Sequence, residues 1–138
     1  MNEKRNVFAV VASTCAVALG LAGWLRGAQD GSGSEWPQHH GPDRTNVSPE
    51  QVLLKKWPAE GPRLIWKYAS SRKGYSGVTI AEGMVFTAGD FDDREMILAL
   101  NMDGELLCLK TNGEAWRGPS PGSRATPTYN EGKLYHMN

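Results

Sequence analysis

Two short stretches of the sequence carry residue types that bind metal ions. His39 and His40 stand close to Asp43 in the stretch QHHGPD. Adjacent side chains of an extended chain point to opposite sides, and a zinc site needs three or four ligands, so this stretch favours a solvated loop. The stretch DFDDRE holds three aspartates whose spacing partly matches a calcium loop, but the required glycine and the distal glutamate are missing. We therefore expect no metal site here.

Two pairs of an aromatic and an arginine side chain are the candidates for ligand binding. Trp116 and Arg117 are adjacent in a loop rich in glycine and proline, and both residue types are favoured at binding surfaces. The alternative for Trp116 is packing over a neighbouring element of the fold. Tyr75 and Arg124 each precede the first strand of a predicted hairpin. No residue is assigned a catalytic role.

Short strands separated by glycine turns must position these candidates. The stretches GVTIAEG and GMVFTAGD predict a hairpin with its turn at Glu82-Gly83. Met96–Asn101 predicts a buried strand, and Asp103-Gly104 predicts a tight turn into a returning strand. Loops are predicted at Phe91–Glu95 and Asn112–Arg124.

The segment before these strands is rich in proline, which breaks any long helix. Only the stretch from Ser48 to Trp57 is compatible with a turn or two of helix, because Ser48 suits the N-cap and Pro49 the first helical position. Arg63–Ala69 reads as a strand, and helical periodicity is absent after Trp57.

One sequence pattern occurs twice. Thr79–Gly89 and Thr128–Asn138 both begin with threonine, carry Glu-Gly at the same offset, and lie 49 residues apart. Four short antiparallel strands per repeat are typical of a β-propeller blade. An all-β sandwich would show similar strands but does not require Glu-Gly in register twice. The predicted fold class is therefore all-β, with propeller blades of four antiparallel strands.

The stretch LALNMDGELLCLK resembles the blade motif of the pyrroloquinoline-quinone-type propellers, A-x-D-x-x-T-G-x-x-x-W. Ala99, Leu100 and Gly104 match the motif, whereas Asn101 replaces the usual aspartate and Cys108 the usual tryptophan. The opening stretch WPQHHGPDR and the later stretch PGSRATPT are similar to the start of exported propeller proteins of planctomycete-type bacteria. The resemblance covers residues 36–138.

This resemblance implies that the chain is the truncated N-terminal part of a propeller, with about one and a half blades present. The strand Arg63–Ala69 would complete the last blade and close the ring. Tyr75 and Arg124 would then lie near the central channel, where propellers bind ligands. The remaining blades would be the first partners of residues 36–138.

Two functions follow from the resemblance. The first is a non-enzymatic binding or scaffolding module of the cell envelope, from the same superfamily as the outer-membrane barrel-assembly lipoprotein, with other envelope proteins as partners and no cofactor in this chain. The alternative is the N-terminal part of a quinoprotein alcohol-type dehydrogenase, which would use pyrroloquinoline quinone and Ca²⁺. Such enzymes carry a vicinal cysteine pair, and the sequence has no Cys-Cys.

The N-terminus predicts export. Lys4 and Arg5 precede Val7–Leu25, a run of 19 residues without charge. Residues 1–28 therefore predict a helical signal peptide or an uncleaved membrane anchor, and residues 29–35 a flexible linker. The alternative is a buried helix, which would usually keep a polar face. We expect the rest of the chain in the periplasm or cell envelope.

The overall charge excludes one class of partner. The 138 residues contain 15 Lys and Arg against 15 Asp and Glu, so the sequence gives no sign of the basic surface that nucleic acid requires. The 16 glycines and 8 prolines suit a turn-rich β protein.

Overall fold

The computed structural model describes residues 35–51 and 53–138, and every helix or strand found in these ranges is a β-strand. The strands are β1 (Thr79–Ala81), β2 (Met84–Phe91), β3 (Arg94–Asn101), β4 (Leu106–Glu114), β5 (Thr128–Asn130) and β6 (Lys133–Tyr135). Strands β1 to β4 form one antiparallel sheet in chain order, and β5 and β6 form a separate hairpin. The predicted all-β class and the four-stranded antiparallel sheet are confirmed.

The turns of the sheet form where the sequence tolerates a left-handed backbone. Glu82 and Gly83 have φ values of 51° and 68°, which a two-residue turn between antiparallel strands requires at both positions. Gly104 has a φ of 82° in the turn between β3 and β4. Both predicted turns are therefore confirmed.

Two predicted loops are shorter than expected. The loop predicted over Phe91–Glu95 is a two-residue turn at Asp92 and Asp93, because Asp92 adopts a φ of 54° and Phe91 pairs with Arg94. β2 and β3 thus continue to the turn. Similarly, β4 continues to Glu114, since β3 offers it backbone partners beyond the predicted end of the strand.

The buried core lies on β2 and β3. These two central strands pair along all eight residues of each, from Met84 opposite Asn101 to Phe91 opposite Arg94. Leu98 is fully buried. The other buried apolar side chains are Ala81, Val85, Phe86, Ala88, Ile97, Leu100 and Ala115. β4 has one paired edge, and its Leu106, Leu107 and Leu109 remain 43%, 48% and 38% exposed.

The hairpin β5–β6 repeats the hairpin β1–β2. Thr79 pairs with Phe86 in the first, and Thr128 pairs with Tyr135 in the second, so each partner recurs 49 residues later. Glu131 and Gly132 have φ values of 46° and 74°. The sequence repeat is therefore also a repeat of strand register and turn geometry.

The two hairpins lie beside each other. The amide of Gly77 donates to Oγ1 of Thr126 over 3.1 Å, and Oγ1 of Thr79 donates to the carbonyl of Pro127. The rings of Phe86 and Tyr129 stack at 6.0 Å between centroids. Contacts of backbone, hydroxyl and ring therefore hold the two hairpins together.

A short segment before the sheet contacts both hairpins. Trp36 and Ile80 exchange both backbone hydrogen bonds, at 2.8 and 3.0 Å, and the amide of Tyr129 donates to the carbonyl of Pro37 over 2.7 Å. Residues 36–37 thus contact both hairpins at once.

The lead-in segment differs from its prediction. Arg63–Ala69 forms no strand, and Leu64 and Ile65 are 74% and 78% exposed, because no described strand offers this stretch a backbone partner. Trp66 is its anchor: Nε1 donates to the carbonyl of Met102 over 2.8 Å, and the ring packs against Gly104.

The short helix allowed between Ser48 and Trp57 is absent from the described residues of that stretch. Leu53 and Leu54 are 68% and 71% exposed, so no packed apolar face compensates the high cost of starting a helix.

The predicted signal or anchor at residues 1–28 lies outside the described residues, as does the linker except for Glu35. Among residues 35–51 and 53–138, no helix has the length and apolar character needed to cross a membrane.

Candidate functional site

An open groove of about 700 Å³ lies where the adjoining ends of β2 and β3 meet the segment between β4 and β5. Asp90 comes from the end of β2 and Glu95 from the start of β3, while Trp116, Ser123 and Arg124 come from the connecting segment. This volume is within the usual range for small-molecule sites.

Two carboxylates face each other beside this groove. Asp90 and Glu95 are directly opposite in the β2–β3 ladder, and their residues are only 9% and 3% exposed. Like charges directly opposite on a sheet destabilise it, so this rung needs compensation from its surroundings.

Glu95 receives that compensation from three sides. Oγ of Ser123 donates to Oε1 over 2.5 Å, and Nδ2 of Asn112 donates to Oε2 over 2.7 Å. Nε2 of His136 lies 3.2 Å from Oε1, and this contact also favours the ionised form of Glu95. We call Glu95, Asn112, Ser123 and His136 the polar cluster.

A β-bulge aims Asn112 at Glu95. Glu95 pairs with Gly113 and Met96 with Thr111, so Asn112 is the extra residue of β4 at this point. A bulge redirects the side chain of its extra residue, and here the redirected amide reaches the carboxylate.

Ser123 is held in place by the segment before β1. The amide of Tyr75 donates to the carbonyl of Ser123 over 2.6 Å, and Lys73 forms a backbone bridge with Asp90. Gly89 is needed under this segment, because a Cβ there would lie 2.0 Å from the carbonyl oxygen of Ser71. The segment thus joins the loop of Ser123 to the end of β2.

The polar cluster contains serine, histidine and a carboxylate, but not in the order of a nucleophilic triad. In a triad, histidine bridges the serine and the acid, so that it can accept the serine proton. Here Glu95 is in the middle, contacted by Ser123 and His136. Among the described residues, Nδ1 of His136 has no hydrogen-bond partner. The arrangement therefore stabilises a buried carboxylate and does not activate Ser123.

The pKa values of the two carboxyl groups are shifted in opposite directions. Burial raises the pKa of Asp90 above its ordinary 3.8, and the adjacent charge of Glu95 raises it further, against smaller opposing effects of Arg117, Lys73 and the Gly122 amide. Burial alone would also raise the pKa of Glu95, but His136, Ser123 and Asn112 together lower it below the ordinary 4.5. Asp90 is therefore the poorly compensated member of the pair.

The structure brings three of the four predicted site residues together. Trp116 and Arg124 line the groove, and the guanidinium of Arg124 lies 5.8 Å from the ring centroid of Tyr75. Arg117 is not among the residues that line the groove, and its Nη2 donates to the carbonyl of Asp92 over 3.0 Å. The ligand-binding role of these four residues stays a prediction.

Sequence reasoning missed Asp90 and the polar cluster. In the sequence, Asp90 looks like one more residue of the charged stretch DFDDRE, yet it is buried while Asp92 and Asp93 are exposed. The sequence does contain a usable signal. A two-residue turn at Asp92 and Asp93 places Asp90 opposite Glu95 in the hairpin.

His39 and His40 lie in an exposed loop, with ring centroids 4.7 Å apart. Nδ1 of His40 contacts Oδ1 of Asn46 at 2.9 Å, and Nδ1 of His39 lies 3.4 Å from Oγ1 of Thr126. Within the part of the chain that the structure describes, no three His, Cys, Asp or Glu residues form a metal-binding group.

Comparison of the chain with protein-family models, with curated proteins and with solved structures found no match.

Proposed function

We propose that this chain is an exported β-propeller protein that serves as a binding or scaffolding module of the cell envelope and has no catalytic role of its own. The partners in this proposal are further propeller blades and other envelope proteins. The groove between β2, β3 and the loop of Arg124 is its ligand site.

The observation that carries the proposal is the repetition of β1–β2 by β5–β6. In a propeller, successive blades begin with inner strands that lie near one another around a central axis. β1 and β5 are close together here, joined through Thr79 and Pro127 and through residues 36–37. The four-stranded order β1-β2-β3-β4 is also that of one blade.

The exposed apolar side chains of β4 give further support. The three leucines of this strand are all more than one-third exposed: Leu106, Leu107 and Leu109. Blades of a repeat protein cover the apolar faces of their neighbours, so a propeller would account for this exposure.

Export is tested by fusing alkaline phosphatase after Asn138, since this enzyme matures only outside the cytoplasm. We expect an active fusion, and an inactive one when residues 1–28 are deleted. An inactive full-length fusion at normal expression would contradict the proposal. Fractionation of the active fusion separates a membrane anchor from a cleaved signal.

A dye-linked dehydrogenase assay separates the proposal from the quinoprotein alternative. The purified chain is incubated with pyrroloquinoline quinone, Ca²⁺ and a range of alcohols. We expect no substrate-dependent dye reduction. Activity that requires both additions would establish the alternative and overturn the non-enzymatic role.

A further inference from the structure

We propose that the groove binds a saccharide, with Asp90 accepting a hydroxyl, Trp116 packing against the C–H face of a sugar ring, and Arg124 donating to ring or hydroxyl oxygens. This ligand class rests on the binding role proposed above. Each of the three side chains contributes a separate argument.

Asp90 lines the groove, and one of its two carboxylate oxygens has no donor among the described residues. Its residue is 9% exposed, and Oδ1 has no hydrogen-bond partner among the described residues. A buried acceptor without a donor is rare in native proteins, and such conflicts cluster at functional positions. The terminal torsion of an aspartate is soft, so the carboxylate can turn toward a donor in the groove.

Trp116 lines the groove. Nε1 donates to the carbonyl of Pro119 over 3.1 Å, so the one polar atom of the side chain is already satisfied. Gly118 permits the ring to lie close over the backbone, since a Cβ there would be 2.1 Å from the ring. The residue is nevertheless 54% exposed. Because this side chain is already held in place, packing a flat apolar surface against its exposed ring costs little conformational entropy.

Arg124 supplies donors beside these two residues. Its Nη2 donates to the carbonyls of Pro119 and Ser120, at 3.1 and 2.6 Å, and its guanidinium lies over Tyr75. Among the described residues, Nε and Nη1 bond no acceptor. An arginine held in this way offers further N–H groups in a fixed plane.

The charges favour a neutral ligand over an organic cation. Arg117 and Lys73 already oppose the charge of Asp90, and His136 lies at ion-pair distance from Glu95. A cation in the groove would also face Arg124. A sugar offers hydroxyls that both donate and accept, together with an apolar C–H face, and so matches acceptor, donor and ring without bringing net charge.

Isothermal titration calorimetry of the full exported chain with maltohexaose, cellohexaose and chitohexaose tests the proposal. We expect at least one to bind with a Kd of about 1 mM or tighter, the range for a ligand of few contacting atoms. Trp116→Ala and Asp90→Asn should each weaken binding about tenfold or more, because each removes a principal contact. Trp116→Phe, which keeps a flat ring, should restore most of the affinity.

The matched controls are Trp57→Ala, at a tryptophan that is 63% exposed outside the groove lining, and Asp93→Asn, at the exposed turn. Neither should change the affinity. Circular dichroism confirms that each variant keeps the β-sheet signal of the parent.

The proposal is overturned if none of the three oligosaccharides binds at about 10 mM, ten times the expected Kd, or if they bind equally to the groove variants. It is also overturned if spermidine binds in their place and is lost in the same variants, since the site would then select a cation. These outcomes leave export and the absence of dehydrogenase activity untouched, so they are distinguishable from failure of the proposed function.

Discussion

Asp90 and Glu95 occupy one rung of the same sheet and differ in almost everything around them. Both residues are nine-tenths buried or more. Glu95 accepts hydrogen bonds from Ser123 and Asn112 and lies beside His136, whereas Oδ1 of Asp90 has no partner among the described residues. The two carboxylates are therefore similarly buried, but Glu95 accepts more hydrogen bonds from its surroundings than Asp90 does.

This difference separates the contribution of a charge to folding from its availability to a ligand. A carboxylate with several donors is tied to the fold, because its removal leaves those donors unpaired. A buried carboxylate with an unpaired oxygen and a like charge beside it weakens the fold. Substitutions at the two positions should therefore have effects of opposite sign.

Replacement of the central carboxylate should have the largest effect. Glu95→Ala leaves Ser123, Asn112 and His136 buried or half-buried without their common acceptor. We expect the free energy of unfolding to fall by about 2–6 kcal/mol, because Ser123 and Asn112 each lose their acceptor and an unsatisfied buried donor costs about 1–3 kcal/mol. Urea unfolding followed by circular dichroism measures it. Glu105→Ala, at an exposed position between β3 and β4, is the control, and an equal loss there would remove the distinction.

Ser123→Ala should have an intermediate effect. The variant removes a buried donor to Glu95 and leaves the rest of the polar cluster in place. We expect a loss of about 1.5–3 kcal/mol, as for other hydrogen bonds to charged groups. The same unfolding experiment applies, with the exposed Ser120→Ala as the matched control. A loss within about 0.5 kcal/mol of zero, ordinary for surface substitutions, would show that Asn112 and His136 suffice for Glu95.

Asp90→Asn should act in the opposite direction. Removing this charge relieves the like-charge pair on the rung, so the free energy of unfolding at pH 7 should rise by about 0.2–1 kcal/mol. Asp93→Asn at the exposed turn serves for comparison and should change little. A variant less stable than the parent would mean that the charge of Asp90 stabilises the fold, as that of Glu95 does.

The pH dependence of the free energy of unfolding should be the smallest effect, and it reports directly on the two carboxyl groups. Glu95 has a lowered pKa in the folded state, so its stabilisation is present above about 4.5 and is lost as the pH falls through the folded value. Asp90 has a raised pKa, so its contribution is favourable below about 3.8 and is lost as the pH rises through the folded value.

Unfolding curves measured between pH 3 and 7 should therefore show that two variants approach the stability of the parent as the pH falls. The deficit of Glu95→Gln against the parent should shrink as the pH falls, and so should the advantage of Asp90→Asn. Differences that stay constant over this range would rule out titration of these two groups as their source.

The sequence predicted those parts of the fold that local residues determine. The turns at Glu82-Gly83 and Asp103-Gly104 form as expected, because positive φ at glycine is a local property. The repeat of Thr79–Gly89 by Thr128–Asn138 was visible in the sequence and recurs as strand register. Arg63–Ala69 has the composition of a strand but not the partner that a strand requires, and a partner is not visible in the stretch itself.

The candidate site was only partly predictable for the same reason. Trp116 and Arg124 stood out by residue type and proximity to loops. Asn112 reaches Glu95 through a bulge, and His136 through the second hairpin. Neither relation follows from composition or periodicity, because both depend on which strands adjoin.

The position of residues 36–37 has a consequence for the order of folding. The turns of β1–β2, β2–β3 and β3–β4 close short loops, and such hairpins form in about 1–10 μs. Trp36 bonds to Ile80 and Pro37 to Tyr129, across long stretches of chain and onto two hairpins that must already be formed. Closing those loops is slower and entropically costlier. In pulse-labelled hydrogen exchange, the Tyr129 amide should thus gain protection after the amides of β2 and β3, so the contacts of residues 36–37 would be among the last to form.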